Sequence, residues 1–278
     1  MRETNYNFFD KYANSYEKAA LIQGEIGNRL FDRLAYYKMQ PRFILDLGCG
    51  TGLFTKKLLN LYPHAQIFAF DLAKNMLSAA KSSESKPCFV QGDMHHLPFE
   101  TGFFDLIFSN QVIHWSSTLP ALLREINRVM QVEGCFIFST LGPDTFLELQ
   151  RAWSSADHYT HVNVFEDMHT IGDCLLKEQF MDPVVDMEKI TLHYPSLRRL
   201  LTDLREQGVK NIHPKRNKGL TGKQAWQRFQ SHYSSLCTAE GKYPLTYEVI
   251  YGQAWRGSQR RINDQEIEMF FPLEKLRR

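Results

Sequence analysis

Read for polarity alone, the chain changes texture twice. Over residues 1 to 40, apolar and aromatic side chains recur four apart: Phe8, Tyr12 and Tyr16, then Ile22, Ile26, Leu30 and Leu34. That spacing lines one face of a helix, and the gap between the two series predicts two helices in succession. From residue 43, short apolar runs alternate with helical periods. FILDL precedes Phe54, Leu58 and Leu61; QIFAF precedes a helix opening at Ala73; CFVQGD follows; FFDLIFSN precedes Leu122, Ile126 and Val129; and CFIFST ends the series. Runs this short and this apolar fit strands buried on both faces. Their alternation with helices predicts an α/β fold of parallel units wound on both sides of a sheet.

After Thr140 the pattern loosens. TFLELQRAW and IGDCLLKEQF read as helices, and VVDMEKITLHY reads as a strand starting after Pro183 and closed by Pro195. PLTYEVIYGQAW, rich in β-branched and aromatic residues, reads as the final strand. Between these late strands, residues 196 to 243 are basic and helical in character, an insertion placed to act as a lid. One domain is therefore expected over residues 1 to 256, with a polar tail over 257 to 278.

Composition adds exclusions. The chain has 278 residues, 43% hydrophobic and 23% charged, a balance that excludes a disordered chain. No run approaches the roughly 18 apolar residues of a membrane span, and the first residues lack the apolar stretch of a secretory signal. Five cysteines without a C-x-x-C pair suggest neither a disulfide framework nor a thiolate zinc site, so a cytoplasmic protein is expected. The histidines 95, 96 and 114, and 158, 161 and 169, form no metal-binding helical pair with a carboxylate, and no metal is expected. The net charge of +2 conceals an asymmetry. Residues 198 to 228 hold nine Lys or Arg against Asp203 and Glu206, which makes that segment +7 and the remainder −5. A local basic stripe suits one acidic partner or an anionic substrate better than general affinity for nucleic acid.

The most informative run is Asp46-Leu47-Gly48-Cys49-Gly50-Thr51-Gly52, between a strand and a helix. Glycines there permit a tight turn and let a ligand approach the backbone. The third glycine of a dinucleotide fingerprint would fall on Leu53, and the Lys-Ser/Thr of a triphosphate loop is replaced by Leu53 and Phe54, so both phosphate readings weaken. Cys49 is read as a small residue in a crowded loop, without a redox role. The spacing G-x-G-x-G after an acid resembles the first motif of the class I S-adenosylmethionine methyltransferases, whose cofactor brings a methionine zwitterion and a ribose instead of a pyrophosphate. On that resemblance Asp71, ending the next strand, is placed to accept the ribose hydroxyls, and Asp93 meets the adenine amino group. Asp46, Gly48, Cys49, Gly50, Gly52, Asp71, Leu72, Asp93, Met94 and Asn110 make up the implied cofactor site. Asn110 is followed by Gln-Val-Ile-His-Trp where methyltransferases of base amino groups carry Pro-Pro-aromatic, which disfavours base methylation.

The distal blocks narrow the resemblance. GPDTFLELQRAW, HVNVFEDMHTIGDCLL, the run from DPVVDMEK to LREQGVKN, RNKGLTGK and PLTYEVIYGQAW together resemble the malonyl-acyl-carrier-protein O-methyltransferases of biotin synthesis. The similarity covers roughly residues 5 to 256. It implies a class I methyltransferase sheet, mostly parallel with an antiparallel late strand, which esterifies the free carboxylate of a malonyl thioester. The acceptor would be malonyl-acyl carrier protein or malonyl-coenzyme A. Arg198 matches that family's substrate-facing arginine, and Tyr16 and His114 are further candidates to orient the carboxylate. The strand-five exit TLGPDTF departs from expectation in having no basic residue, and residues 257 to 278 extend beyond the similarity. Two other readings stand beside this one. Respiratory-complex assembly factors that modify a protein arginine share the DT-x-x-EL and YP-x-x-x-x-L blocks, though GLTGK and PLTYEVIYGQAW favour the esterifying family, and a noncatalytic cofactor-binding partner protein is disfavoured because the loop and both acids are intact.

Overall fold

The computed structural model describes residues 21–81, 87–207, 211, 216–217, 219–262 and 266–270. The first expected helix, with Phe8, Tyr12 and Tyr16, lies outside the described residues. The second is α1 (Leu21–Asp32), continued by a short 3-10 turn over Arg33–Tyr36. The alternating region follows as β1 (Phe43–Leu47), α2 (Leu53–Leu61), β2 (Gln66–Asp71), α3 (Lys74–Ala80), β3 (Cys88–Gln91), β4 (Phe104–Asn110), α4 (Leu119–Val129) and β5 (Met130–Leu141). Then come α5 (Leu147–Ser154), α6 (Met168–Lys177), β6 (Phe180–Tyr194), α7 (Leu197–Glu206), α8 (Lys223–Ser235) and β7 (Tyr243–Arg256).

These strands form one seven-stranded sheet in the order β3-β2-β1-β4-β5-β7-β6, parallel except for β7, which is antiparallel to both neighbours. The chain moves outward from β1 through β2 to β3, then returns to place β4 on β1's other side. That reversal opens a crevice at the carboxyl ends of β1 and β4, the place where open α/β sheets take ligands. Side chains alternate across the sheet as strand geometry dictates. Ile44 joins the apolar layer under α1, α2, α5, α7 and α8, while Leu45 and Leu47 join the opposite layer under α4 and α6. Two helices of the distal region begin on sequence-legible caps: Asp167 accepts from the Thr170 amide, and Ser196 from the Arg199 amide.

Three elements differ from expectation. β5 begins at Met130, directly after α4, five residues before CFIFST. β6 begins at Phe180 and runs through Pro183, because it is the edge of the sheet and its register shift between Met181 and Val184 absorbs the missing donor. The expected tail contains an antiparallel strand pair, β8 (Ser258–Ile262) with β9 (Glu266–Phe270).

The inserted segment is built into the core. Leu197, Leu200 and Leu204 of α7 and Phe229 and Tyr233 of α8 are buried in the layer that α1 also covers. Trp153 of α5 stacks on Phe229 with centroids 4.0 Å apart. β5 ends at Leu141 opposite Val249, so Tyr243–Glu248 of β7 and their β6 partners overrun the ligand edge of the sheet by about 20 Å at roughly 3.3 Å per residue. α7 hangs from this overrun. No helix among the described residues is long and apolar enough to cross a membrane.

Candidate active site

The crevice is shaped by the Gly48–Gly52 turn. Gly48, Gly50 and Gly52 all adopt positive φ (75°, 53° and 82°). At Gly50 a side chain would project into space with no heavy atom within 4 Å, so the absence of a Cβ leaves a shallow cradle open on the ligand side. The turn is stitched to the end of β2. Gly48 and Cys49 amides donate to Phe70 O at 2.8 and 3.0 Å, and Gly50 N donates to Asp71 Oδ2 at 2.9 Å. Asp71 Oδ1 accepts from Ala73 N at 2.8 Å. Both carboxylate oxygens are thus held by main chain, and each retains a further lone pair for a diol. Burial pushes this carboxyl's pKa up, opposed by the amides of Ala73, Gly50 and Leu72. Leu72 stands exposed beside it.

The other predicted acids differ. Asp46 is 2% exposed and takes a 2.5 Å bond from Thr55 Oγ1, so its side chain braces the start of α2 from beneath the turn. Desolvation raises it to about 7, with the Thr55 bond pulling down and the Asp71 charge pushing up. Cys49 is buried, and burial followed by the charges of Asp46 and Asp71 lifts its thiol well above the ordinary range, so it stays a thiol. Asp93, after β3, is half-buried. Its Oδ1 accepts from His95 N at 3.0 Å and lies 2.9 Å from His95 Nδ1, while His95 Nε2 lies 2.8 Å from Ser116 Oγ. A carboxylate only accepts, so Nδ1 carries the proton in this chain. Met94 packs against the apolar layer below.

Asn110, at the tip of β4, uses its side chain inside the protein: Oδ1 accepts from Ser139 Oγ at 2.7 Å and Nδ2 donates to Gln23 O at 3.0 Å. The following Gln111 has φ of 60°, an uncommon conformation for a residue with a Cβ, and its amide donates to Ser139. His114 is turned toward Phe165 and Trp115, with centroids 5.6 and 5.1 Å away, and its Nδ1 is 3.4 Å from Thr140 Oγ1. Desolvation lowers it to about 3, so at neutral pH it is an uncharged hydrogen-bonding group. Phe165 also lines a cavity of about 340 Å³ with Gln150, Trp153, Tyr159, His161 and Asn163.

Of the two remaining candidates, one is described, and it lies apart from this corner. Tyr16 is outside the described residues. Arg198 is on the exposed face of α7 and has no ion-pair partner among the described residues, whereas Arg199 leans toward Asp203 and Glu206 at 3.8 and 3.9 Å. Arg198 is about 14 Å along the helix from Gln207 at 1.5 Å per residue. The structure therefore gathers Gly48, Gly50, Gly52 and Asp71 into one corner and leaves Arg198 at the outer end of α7.

Sequence reasoning missed the side chains that hold the overrun of β6 and β7 to the rest of the fold. The DT-x-x-EL block proves to be structural. Thr145 Oγ1 donates to Glu248 O at 3.0 Å, Glu148 accepts from Thr246 N and Oγ1 at 3.0 and 2.5 Å, and Lys189 pairs with Asp144 at 2.6 Å. It fastens α5 to the overrunning strands. Among the described residues, no three His, Cys, Asp or Glu side chains cluster to hold a metal ion.

Comparisons with known proteins place the family by sequence and the fold by structure. A family model described as a methyltransferase domain matches residues 45–138. A Legionella pneumophila protein named malonyl-[acyl-carrier protein] O-methyltransferase is 57% identical over 271 residues, covering 96% of this chain and 95% of its own. A protein of the same name from Gallionella capsiferriformans is 41% identical, covering 91% and 90%. Among solved structures, a putative methyltransferase from Bacillus halodurans superposes with a TM-score of 0.59 at 15% identity, covering 84% of this chain and 100% of that one, which speaks for the fold.

Proposed function

Because this chain belongs to the malonyl-[acyl-carrier protein] O-methyltransferases, we propose that it transfers a methyl group from S-adenosyl-L-methionine to the free carboxylate of a malonyl thioester, in an early step of biotin synthesis. The observation that carries the cofactor half is the Asp71 carboxylate, fixed by the amides of Gly50 and Ala73 at the open side of the glycine turn. A turn with that cradle and a preset acceptor for a diol fits a nucleoside whose tail is a small zwitterion. Asp71 would hold the ribose and the Gly48–Gly52 turn the methionine tail, with Leu72, Asp93 and Met94 around the adenine. When bound, S-adenosylmethionine supplies a methyl group already activated by its sulfonium.

The protein's own part is then to bind, orient and exclude water. A malonyl carboxylate is ionised at neutral pH, its ordinary pKa being about 4, so it is a nucleophile without a general base. Holding such an oxygen in line with a methyl group converts an encounter into an oriented step, and positioning of this kind supplies much of the acceleration. Neutral His114 donates a hydrogen bond without adding a charge that would blunt the nucleophile. Arg198, with no ion-pair partner among the described residues, reads the anion, and its planar fork suits a carboxylate. The cavity that Phe165 shares with Trp153 and His161 gives room for the thioester arm. The basic stripe offers acyl carrier protein, an acidic partner, a docking face.

The test is transfer of tritium from methyl-labelled S-adenosylmethionine to malonyl-acyl carrier protein. The expected product is a base-labile methyl ester that releases labelled methanol. Base-stable label on a protein arginine would establish the assembly-factor chemistry instead, and cofactor binding without transfer to either acceptor would leave a noncatalytic partner protein.

A further inference from the structure

One buried side-chain polar atom among the described residues has no hydrogen-bond partner: Gln23 Oε1, on the first turn of α1. An unpaired buried acceptor is costly and calls for an explanation. Its orientation is dictated by a chain of bonds that begins on α7. Asp203 Oδ2 accepts from Tyr194 OH at 2.5 Å and from Gln207 Nε2 at 2.7 Å. A carboxylate offers no donor, so Gln207 must present its NH2 there and turn Oε1 away. That oxygen accepts from Tyr247 OH at 3.0 Å and from Gln23 Nε2 at 3.2 Å. Gln23 is thereby forced to spend its NH2 on Gln207, and its own oxygen is left over.

The stretch of α1 that carries Gln23 lies against the glycine turn. Asn110 Nδ2 donates to the main-chain oxygen of Gln23. A methyl built on Gly27, one turn along α1, would stand 2.1 Å from Phe54 and 2.7 Å from the Asn110 amide nitrogen, so the helix can lie this close only because Gly27 has no side chain. One built on Gly24 would be 3.8 Å from Leu53. Leu53 and Phe54 open α2 directly after the Gly48–Gly52 turn, so the start of α1 crosses that end of the turn and the tip of β4. Gly50 ties the turn to Asp71 on β2. A ligand with its ribose at Asp71 and its tail along the turn brings one strong donor to the α2 end, the ammonium of the methionine tail.

We propose that Gln23 Oε1 accepts a hydrogen bond from the α-ammonium of S-adenosylmethionine, and that Gln207 is a positioning residue that presents it. This rests on the cofactor reading above and extends it: the inserted helix α7 reaches the cofactor through Gln207, although its arginines face outward. Discrimination for the ammonium should therefore depend on a residue of the insertion.

The experiment is a ligand cycle by calorimetry on the full-length protein, with S-adenosylhomocysteine and its analogue lacking the α-amino group. Wild type should bind the deaminated ligand about tenfold or more weakly, the size of a lost charge-assisted bond. In Gln23→Met the difference between the two ligands should shrink to about threefold or less, as expected when one partner of a coupled pair is already gone. Gln23→Glu, which keeps an acceptor, should restore discrimination. Gln207→Leu leaves Gln23 in place and should also lose discrimination, which keeps the proposal open to refutation if Gln23→Met does not fold. Equal weakening of both ligands in Gln23→Met and Gln207→Leu would make Gln23 a packing residue and overturn the proposal, as would full discrimination retained in either of those two. Wild-type protein that binds neither ligand would instead remove the cofactor reading, and this inference with it.

Discussion

The corner around β1, β2 and β4 and the overrun of β6 and β7 with α7 hold their functional groups by different means. In the corner, backbone fixes side chain over short range: Asp71 is gripped by Ala73, two residues on, and by Gly50, 21 residues back. In the overrun, side chains bridge distant segments, with 98 residues separating Thr246 from Glu148 and 103 separating Thr145 from Glu248. A corner built from turns is rigid once the strands pair. An overrun with no sheet neighbour at β5 depends on every such bridge. Damage to the corner should therefore show as lost cofactor binding, and damage to the overrun as lost use of the acceptor.

The largest expected effect belongs to the buried acid beneath the turn. A carboxyl held at about 7 rather than 3.8 carries a penalty of about 4 kcal/mol when ionised. Between pH 4 and 7 the folded protein keeps a proton that the unfolded chain has released. Asp46 thus contributes stability below about pH 3.8 and loses it as pH rises through about 7. Asp46→Asn should be more stable than wild type at pH 8, by up to about 4 kcal/mol, and should lose this part of the pH slope in denaturant titrations. His114 acts oppositely: with its pKa lowered to about 3, its contribution is present above the ordinary 6.5 and is lost as pH falls toward 3.

On the acceptor side, Arg198→Ala should lose about 2 to 4 kcal/mol in kcat/KM for the malonyl thioester, as a desolvated anion loses its charge-assisted partner. Arg198→Lys should stay impaired, since an ammonium lacks the planar fork. Arg199→Ala is the control, with a smaller expected loss because its guanidinium is turned toward Asp203 and Glu206. A larger loss at Arg199 would move the anion site and weaken the contrast between the two regions.

In the corner, Asp71→Ala should reduce affinity for S-adenosylhomocysteine by about 1.5 to 3 kcal/mol, read by calorimetry on folded variant. The smallest expected effect is electrostatic. Rising salt should lower kcat/KM for malonyl-acyl carrier protein much more than for a small malonyl thioester, and Lys215→Glu with Arg216→Glu should hurt the carrier-bound substrate selectively. Equal salt dependence for both acceptors would count against the docking face.

The same contrast explains what the sequence disclosed. The corner's positions were legible because a turn's chemistry is local: Gly48, Gly50 and Gly52 announce positive φ, and Asp71 announces the end of an apolar run. Strand and helix alternation likewise foretold the parallel sheet, while the antiparallel late strand was implied only by the family resemblance. What stayed hidden was long-range. Nothing near Asn110 says that its amide is spent on Ser139 and Gln23, and nothing near Glu148 says that it holds Thr246. Pro183 gave the wrong start for β6 because only the assembled sheet makes that strand an edge. Gln23 and Gln207 belong to helical patterns in which polar residues normally face water, and only the packed structure turns them toward each other.

The division of labour is tested most directly by steady-state kinetics of Asp71→Ala and Arg198→Ala with malonyl-acyl carrier protein, at low and at saturating S-adenosylmethionine. If the corner serves only the cofactor and α7 only the acceptor, saturation should restore most of the Asp71→Ala rate and leave the Arg198→Ala defect unchanged. Rescue of both variants by the cofactor, or of neither, would contradict the assignment.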